Sequence, residues 1–131
     1  MKHTTPTIIF VCEHGAAKSI IAAAYFNQLV QQKGLDYIVL TRGKNPDPGL
    51  SPKTILGLQQ DGLVATETMP QKLSVQEVAS AQRVISFYEL PAEYQQQTIV
   101  EQWEDVPPVS EDYEKARDTI LAHLNFLMTN L

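Results

Sequence analysis

The hydrophobic positions of the chain fall into short runs that alternate between two periods. Thr7–Cys12 reads Thr-Ile-Ile-Phe-Val-Cys, apolar at consecutive positions. Such a run leaves no polar face for water, so it predicts a strand covered on both sides of a sheet. In Ser19–Lys33, Ala22, Tyr25, Phe26, Leu29 and Val30 recur at helical spacing, and Gly34 is the natural stop for a helix there. Tyr37–Leu40 predicts a second strand that runs into a loop from Thr41 to Gly49. Ser51-Pro52 joins a helix cap to a proline at the first helical position and predicts a helix over Pro52–Gln60. Between Leu73 and Val78 a capping box (Ser74 with Glu77) and a hydrophobic staple (Leu73 with Val78) start a short helix. Arg83–Phe87 reads as a third strand and Thr98–Gln102 as a weaker fourth. A last helix runs from Asp112 to about Met128 on a stripe of Tyr113, Ala116, Ile120, Leu124 and Leu127. Its start carries Glu111, Asp112 and Glu114, where the helix dipole favours negative charge.

Strands that alternate with helices predict a parallel sheet with helices on both faces. Right-handed crossovers, with the most apolar strand inside, give a small doubly wound α/β fold of strand order 2-1-3-4. No repeat, linker or low-complexity stretch interrupts it, so residues 1–131 read as one domain. Ligands of such sheets bind beyond the C-terminal ends of the strands. Cys12 stands at one of those ends.

Composition narrows the function further. With 44% hydrophobic and 19% charged residues the chain can bury a core. No apolar run approaches the roughly 20 residues that span a bilayer, and the segment before Thr7 lacks the apolar core of a signal peptide. A net charge of −5 argues against nucleic acid as a partner, since a phosphate backbone needs a basic patch. One cysteine allows neither an internal disulfide nor a thiol relay within the chain, and a lone thiol suits a reducing compartment. The expectation is a cytoplasmic protein. His3, His14 and His123 have no metal-ligand spacing, and the reading calls for no metal and no cofactor. Oligomeric state is not legible.

The segment after the first strand carries the chemistry: Cys12-Glu13-His14-Gly15-Ala16-Ala17-Lys18-Ser19. A strand, a tight loop of small residues and a helix start aim backbone N–H groups at one point and so form an anion site. The same field turns a thiol into a thiolate nucleophile. Gly15 permits the left-handed backbone that such a loop needs. Lys18 adds a positive charge, and Ser19 can cap the helix or hydrogen-bond the sulfur. A free cysteine at a strand end is ordinarily a small buried hydrophobe; the loop and the Lys-Ser pair after it favour the nucleophile. Gly15 to Ser19 also half-matches the nucleotide-binding pattern G-x-x-x-x-G-K-[ST]. That pattern needs glycine at positions 12 and 17, where Cys and Ala stand.

Ile8 to Cys12, five intervening residues and then Lys18-Ser19 resemble the low-molecular-weight protein tyrosine phosphatases and their thioredoxin-coupled arsenate reductase relatives. Thr41-Arg42-Gly43 with Pro46 resembles the second-strand segment of those proteins. Pro52 to Gly62, Pro70 to Leu73 and Val84-Ile85-Ser86 follow in the same order, and Trp103 with the acidic, proline-bearing stretch after it resembles the segment that carries the family's general acid. The resemblance implies a thiolate that attacks a phosphoryl group held by loop amides and an arginine, while an aspartate protonates the leaving oxygen. Carried over, Cys12 is the nucleophile, Ser19 its hydroxyl partner and Asp105 the acid. Residues 13–18 (Glu13, His14, Gly15, Ala16, Ala17 and Lys18) form the oxyanion loop. The implied partner is a phosphate-like oxyanion or a phosphorylated substrate.

Three features depart from that pattern. Lys18 replaces the arginine and keeps the charge but not the planar fork that grips two oxygens. Glu13 places a carboxylate on the rim beside the nucleophile, where it either discourages a dianionic ester or lies solvated with little effect. Asp105 precedes Val106 rather than the proline, one position early. The missing second cysteine also removes the arsenate reductases' internal resolution of their intermediate. Three functions stay open: a phosphomonoester hydrolase of reduced activity or an arsenate reductase that uses an outside thiol, a degenerate module that binds an oxyanion or a phosphorylated partner, and a redox sensor built on Cys12.

Overall fold

The computed structural model describes residues 5–131; His3 lies outside them. Its element order is β1 (Thr7–Cys12), α1 (Lys18–Gln32), β2 (Ile38–Gly43), α2 (Pro52–Gln60), α3 (Val75–Ser80), β3 (Arg83–Ser86), α4 (Ala92–Gln95), β4 (Ile99–Gln102) and α5 (Tyr113–Met128). The four strands form one sheet of order β2-β1-β3-β4, and every pairing is parallel, as the alternation predicts. Among the described residues, no helix is long and apolar enough to cross a membrane.

β1 is central because its residues have no polar face to offer. Ile8 and Phe10 enter one core layer beneath α1 and α5, with Phe26, Ile120 and Leu124. Ile9 and Val11 enter the opposite layer with Leu73, Val78, Val84 and Leu90. The stripe expected on α5 is buried in full, and Asp112 caps that helix by accepting from Lys115 N at 3.0 Å. Ser51 caps α2 through Thr54 N, and both halves of the Ser74–Glu77 capping box are made.

β2 differs from expectation. It extends through Thr41, Arg42 and Gly43, which pair with Phe10, Val11 and Cys12. An arginine beside a glycine reads as loop, yet Arg42 is buried because two carboxylates neutralise it. Its Nε and Nη2 donate to Glu77 (2.9 and 2.6 Å to Oε2) and its Nη1 donates to Glu67 at 2.9 Å. α1 also departs from a one-sided stripe. From Ser19 to Ala24 it is buried all round, since α2 and α5 pack against it from two sides. The single turn of α4 has no counterpart among the expected elements.

Candidate active site at the C-terminal end of β1

The parallel sheet brings the ends of β1, β2 and β3 side by side, and the loop from Cys12 to Ser19 closes over that edge. Two glycines make the closure possible. Gly15 adopts φ +63°, and its amide faces Gly43 at the end of β2. A Cβ on Gly43 would lie 2.7 Å from Gly15 N and 2.9 Å from the His14 carbonyl carbon, distances that real Cβ atoms do not tolerate. The expected use of Gly15 therefore has a partner that the sequence did not announce.

The polarity of the loop follows from where its carbonyls go. Cys12, Glu13, His14 and Ala16 turn their C=O groups outward to accept from Lys44 N (3.1 Å), Asn45 N (2.8 Å), Asp47 N (3.0 Å) and Ser51 N (3.0 Å). With the carbonyls so occupied, the N–H groups point the other way. None of the N–H groups of residues 13–18 donates to an acceptor among the described residues. At the helix start Ala17 precedes α1 with no side-chain cap. N–H groups that no protein acceptor meets call for water or a ligand. A row of them around one point is a site prepared for an anion.

Cys12 Sγ lies 3.1 Å from Ser19 Oγ, with both residues buried. Ser19 is thus engaged with sulfur and does not cap the helix. The thiol opens into a cavity of about 410 Å³ whose walls include Glu13, His14, Ala16, Ala17 and Lys18. Asp47 and Ser51 close one side, Phe87 and Tyr88 a second, and Pro108, Val109 and Ser110 a third. The Ser86 hydroxyl donates to Tyr88 O at 2.6 Å and fixes the turn that delivers Phe87 and Tyr88. Burial raises the Tyr88 phenol to about 12, with the charges of Tyr94, Cys12 and Glu13 acting in the same direction, so Tyr88 keeps its proton at neutral pH. A larger concavity of about 500 Å³ lies between α2 and α5, around Asp61 and Arg117, and is not lined by the cysteine.

Asp105 is not brought to this cavity. Its carboxylate sits 2.7 Å from His123 Nε2 on α5, and the His123 ring stacks on Trp103 with centroids 4.7 Å apart. The stretch that reaches the thiol is instead Pro108 to Ser110. Every other expected site residue lies in the Cys12–Ser19 loop: Cys12, Glu13, His14, Ala16, Ala17 and Lys18 line the cavity, Ser19 touches the sulfur and Gly15 supports the turn. The walls from Asp47, Ser51, Phe87 and Tyr88 went unnoticed in the sequence. Phe87 and Tyr88 were findable, since they directly follow β3 and the end of that strand adjoins Cys12.

The fold recurs in solved structures. It matches a low molecular weight protein tyrosine phosphatase from T. tengcongensis with TM-score 0.83 at 17% identity, covering 97% of this chain and 100% of that one. A drosophila arginine phosphatase matches with TM-score 0.78 at 15% identity, covering 94% and 96%. A thioredoxin-dependent arsenate reductase from Corynebacterium glutamicum matches with TM-score 0.71 at 18% identity, covering 100% of this chain and 66% of that one. No curated protein matches the sequence. The family model described as low molecular weight phosphotyrosine protein phosphatase matches residues 7–125, nearly the whole chain, and the chain belongs to that family.

Proposed function

We propose that the chain hydrolyses phosphomonoesters through a covalent intermediate on Cys12. The observation that carries this reading is a sulfur 3.1 Å from a buried hydroxyl, inside a cavity edged by N–H groups that have no partner among the described residues. In the first step the Cys12 thiolate attacks phosphorus and the P–O bond to the leaving alcohol or phenol breaks, while the amides of residues 13–18 and the Lys18 ammonium hold the equatorial oxygens. Ser19 donates to sulfur and stabilises it as the leaving group of the second step. Water then attacks phosphorus and releases phosphate. Lys18 offers a point charge where a guanidinium would grip two oxygens, so the rate falls below that of an arginine-bearing site. A lone nucleophilic thiol works best in a reducing compartment, in keeping with a cytoplasmic location.

The test is turnover of an aryl phosphate beside a Cys12→Ser control. Hydrolysis above that control supports the proposal. A melting temperature raised by phosphate without any turnover selects the second reading, an oxyanion- or phosphoprotein-binding module. Lys18 in place of arginine favours that second reading, as does the engagement of Asp105 by His123. The acidic rim of Glu13 and Asp47 suits a substrate with a cationic leaving group. With an arginine phosphatase among the structural neighbours, an N-phosphorylated guanidine belongs in the same assay.

A further inference from the structure

Hydrolysis of an ester with a basic leaving group needs a proton donor, and the segment expected to supply one has Asp105 turned to His123. We propose that His14 is the general acid of this site and that Asp47 orients it; this rests on the hydrolase reading above. Besides Cys12, the ionisable residues that line the cavity are Glu13, His14 and Lys18 from the Cys12 loop, Asp47 from the loop after β2 and Tyr88 from the turn after β3. Tyr88 holds its proton too tightly to release it at neutral pH. Lys18 is needed as a cation beside the phosphoryl oxygens, and Glu13 is an exposed carboxylate that no described residue orients. Pro108, Val109 and Ser110 bring no acid. Imidazole is the side chain that gains and loses a proton near neutrality.

The placement of His14 is specific. Asp47 binds it twice, by donating its backbone N–H to the His14 carbonyl at 3.0 Å and by setting its Oδ1 3.3 Å from His14 Nδ1. A carboxylate on Nδ1 orients the ring and leaves Nε2–H as the free donor, the division of labour seen wherever a carboxylate positions a catalytic imidazole. In the forward step the Cys12 S–P bond forms and the P–O bond to the leaving group breaks. The electron pair stays on that oxygen, the proton of His14 Nε2 passes to it, and neutral imidazole remains. In the second step Nε2 takes a proton from the attacking water, the new P–O bond forms, and the S–P electron pair returns to Cys12 as phosphate departs.

The experiment compares phenyl phosphate, whose leaving group needs a proton, with 4-nitrophenyl phosphate, whose leaving group does not. General acids contribute roughly 10²- to 10⁴-fold. His14→Asn is expected to lower kcat/KM for phenyl phosphate by about a hundredfold or more beyond whatever it takes from 4-nitrophenyl phosphate, since kcat/KM ends at departure of the leaving group and only phenolate needs a proton there. Asp47→Asn lowers kcat/KM for phenyl phosphate more than for 4-nitrophenyl phosphate, by less than His14→Asn does, and added imidazole restores part of the loss in a His14→Gly variant. An unchanged phosphate-induced rise in melting temperature shows that the variants keep the cradle. Equal losses on both substrates, or no loss on either, with Cys12-dependent turnover intact, overturn the role of His14 alone. No turnover of either substrate by the parent protein overturns the hydrolase reading, and the role of His14 with it.

Discussion

The Cys12–Ser19 loop and the Trp103–Ser110 segment face the same cavity, yet they are specified in different ways. The first is written in backbone: outward carbonyls tied to residues 44–51, two glycines in contact, and a helix start with bare N–H groups. Side-chain identity matters little there except at Cys12, His14, Lys18 and Ser19. The second segment acts only through its side chains, and these have gone elsewhere. Trp103 is buried against Phe10 and Phe87, Asp105 pairs with His123, and the cavity receives proline, valine and serine. An anion cradle built from amides survives changes of sequence that a single catalytic carboxylate does not. The comparison predicts that the first region governs binding and the second has surrendered its proton.

Gly43→Ala is the sharpest way to break the cradle. The added methyl would meet Gly15 N at 2.7 Å, with backbone on both sides and no flexible side chain to yield. Overpacking of this kind costs about 1–3 kcal/mol of stability. The larger effect falls on the site, because the loop must lift from β2 and its amides diverge. Phosphate should no longer raise the melting temperature of Gly43→Ala, while it does so for the parent. A preserved shift would mean that the amides are not what binds.

Lys18→Arg tests the one side chain on which the cradle depends. A charged hydrogen bond contributes about 1.5–3 kcal/mol. At about 1.36 kcal/mol per tenfold, one regained transition-state contact is worth roughly ten- to two-hundred-fold in rate. Aryl phosphatase activity should therefore rise by at least about tenfold, and Lys18→Ala should weaken phosphate binding. An unchanged rate in folded Lys18→Arg would place the deficit at Glu13 or in the proton donor.

The same division explains what the sequence could reveal. Strand order, the α5 stripe and both caps were legible because each rests on local periodicity or on a residue type with one good use. The Cys12–Ser19 loop was legible because its spacing is local. The end of β2 was not, because the burial of Arg42 depends on Glu67 and Glu77, which lie 25 and 35 residues away. Nor was the pairing of Asp105, whose partner stands 18 residues on along a helix that the sequence placed correctly but could not orient.

Acid should expose the support beneath the cradle. Hydrogen bonds from Arg42 hold the Glu77 carboxyl below its ordinary range, against the opposing effect of desolvation. At Asp61 desolvation also opposes ionisation, and hydrogen bonds from Tyr25, Tyr113 and Arg117 prevail. A carboxyl depressed in the folded state contributes stability that is fully present above its unfolded value of about 4 and is lost as pH falls through the folded value. Unfolding free energy should thus decline below about pH 4, with a shallower slope in Glu77→Gln. Near neutrality that variant should lose about 1.5–3 kcal/mol, since Arg42 keeps only Glu67 as a charged partner. The parent's slope in denaturant melts of Glu77→Gln would show that the Arg42 pair is not what titrates.

Asp105→Asn should have the smallest effect, and that smallness tests the comparison from its other side. The Asp105 side chain is 63% exposed and His123 is 31% exposed, so solvent screens their ion pair. Exposed pairs contribute about 0–1 kcal/mol. Asparagine can still accept a hydrogen bond from His123 in the same place, and the ring keeps its stack on Trp103. Melting should shift by no more than that energy implies, and turnover of both phenyl and 4-nitrophenyl phosphate should stay within about threefold of the parent, far short of the roughly hundredfold or more that loss of a general acid costs. A loss of that larger size on phenyl phosphate alone would mean that Asp105 leaves His123 and enters the cavity when substrate binds. The Trp103–Ser110 segment would then be a moving part of the site, and the proton would belong to Asp105 and not to His14.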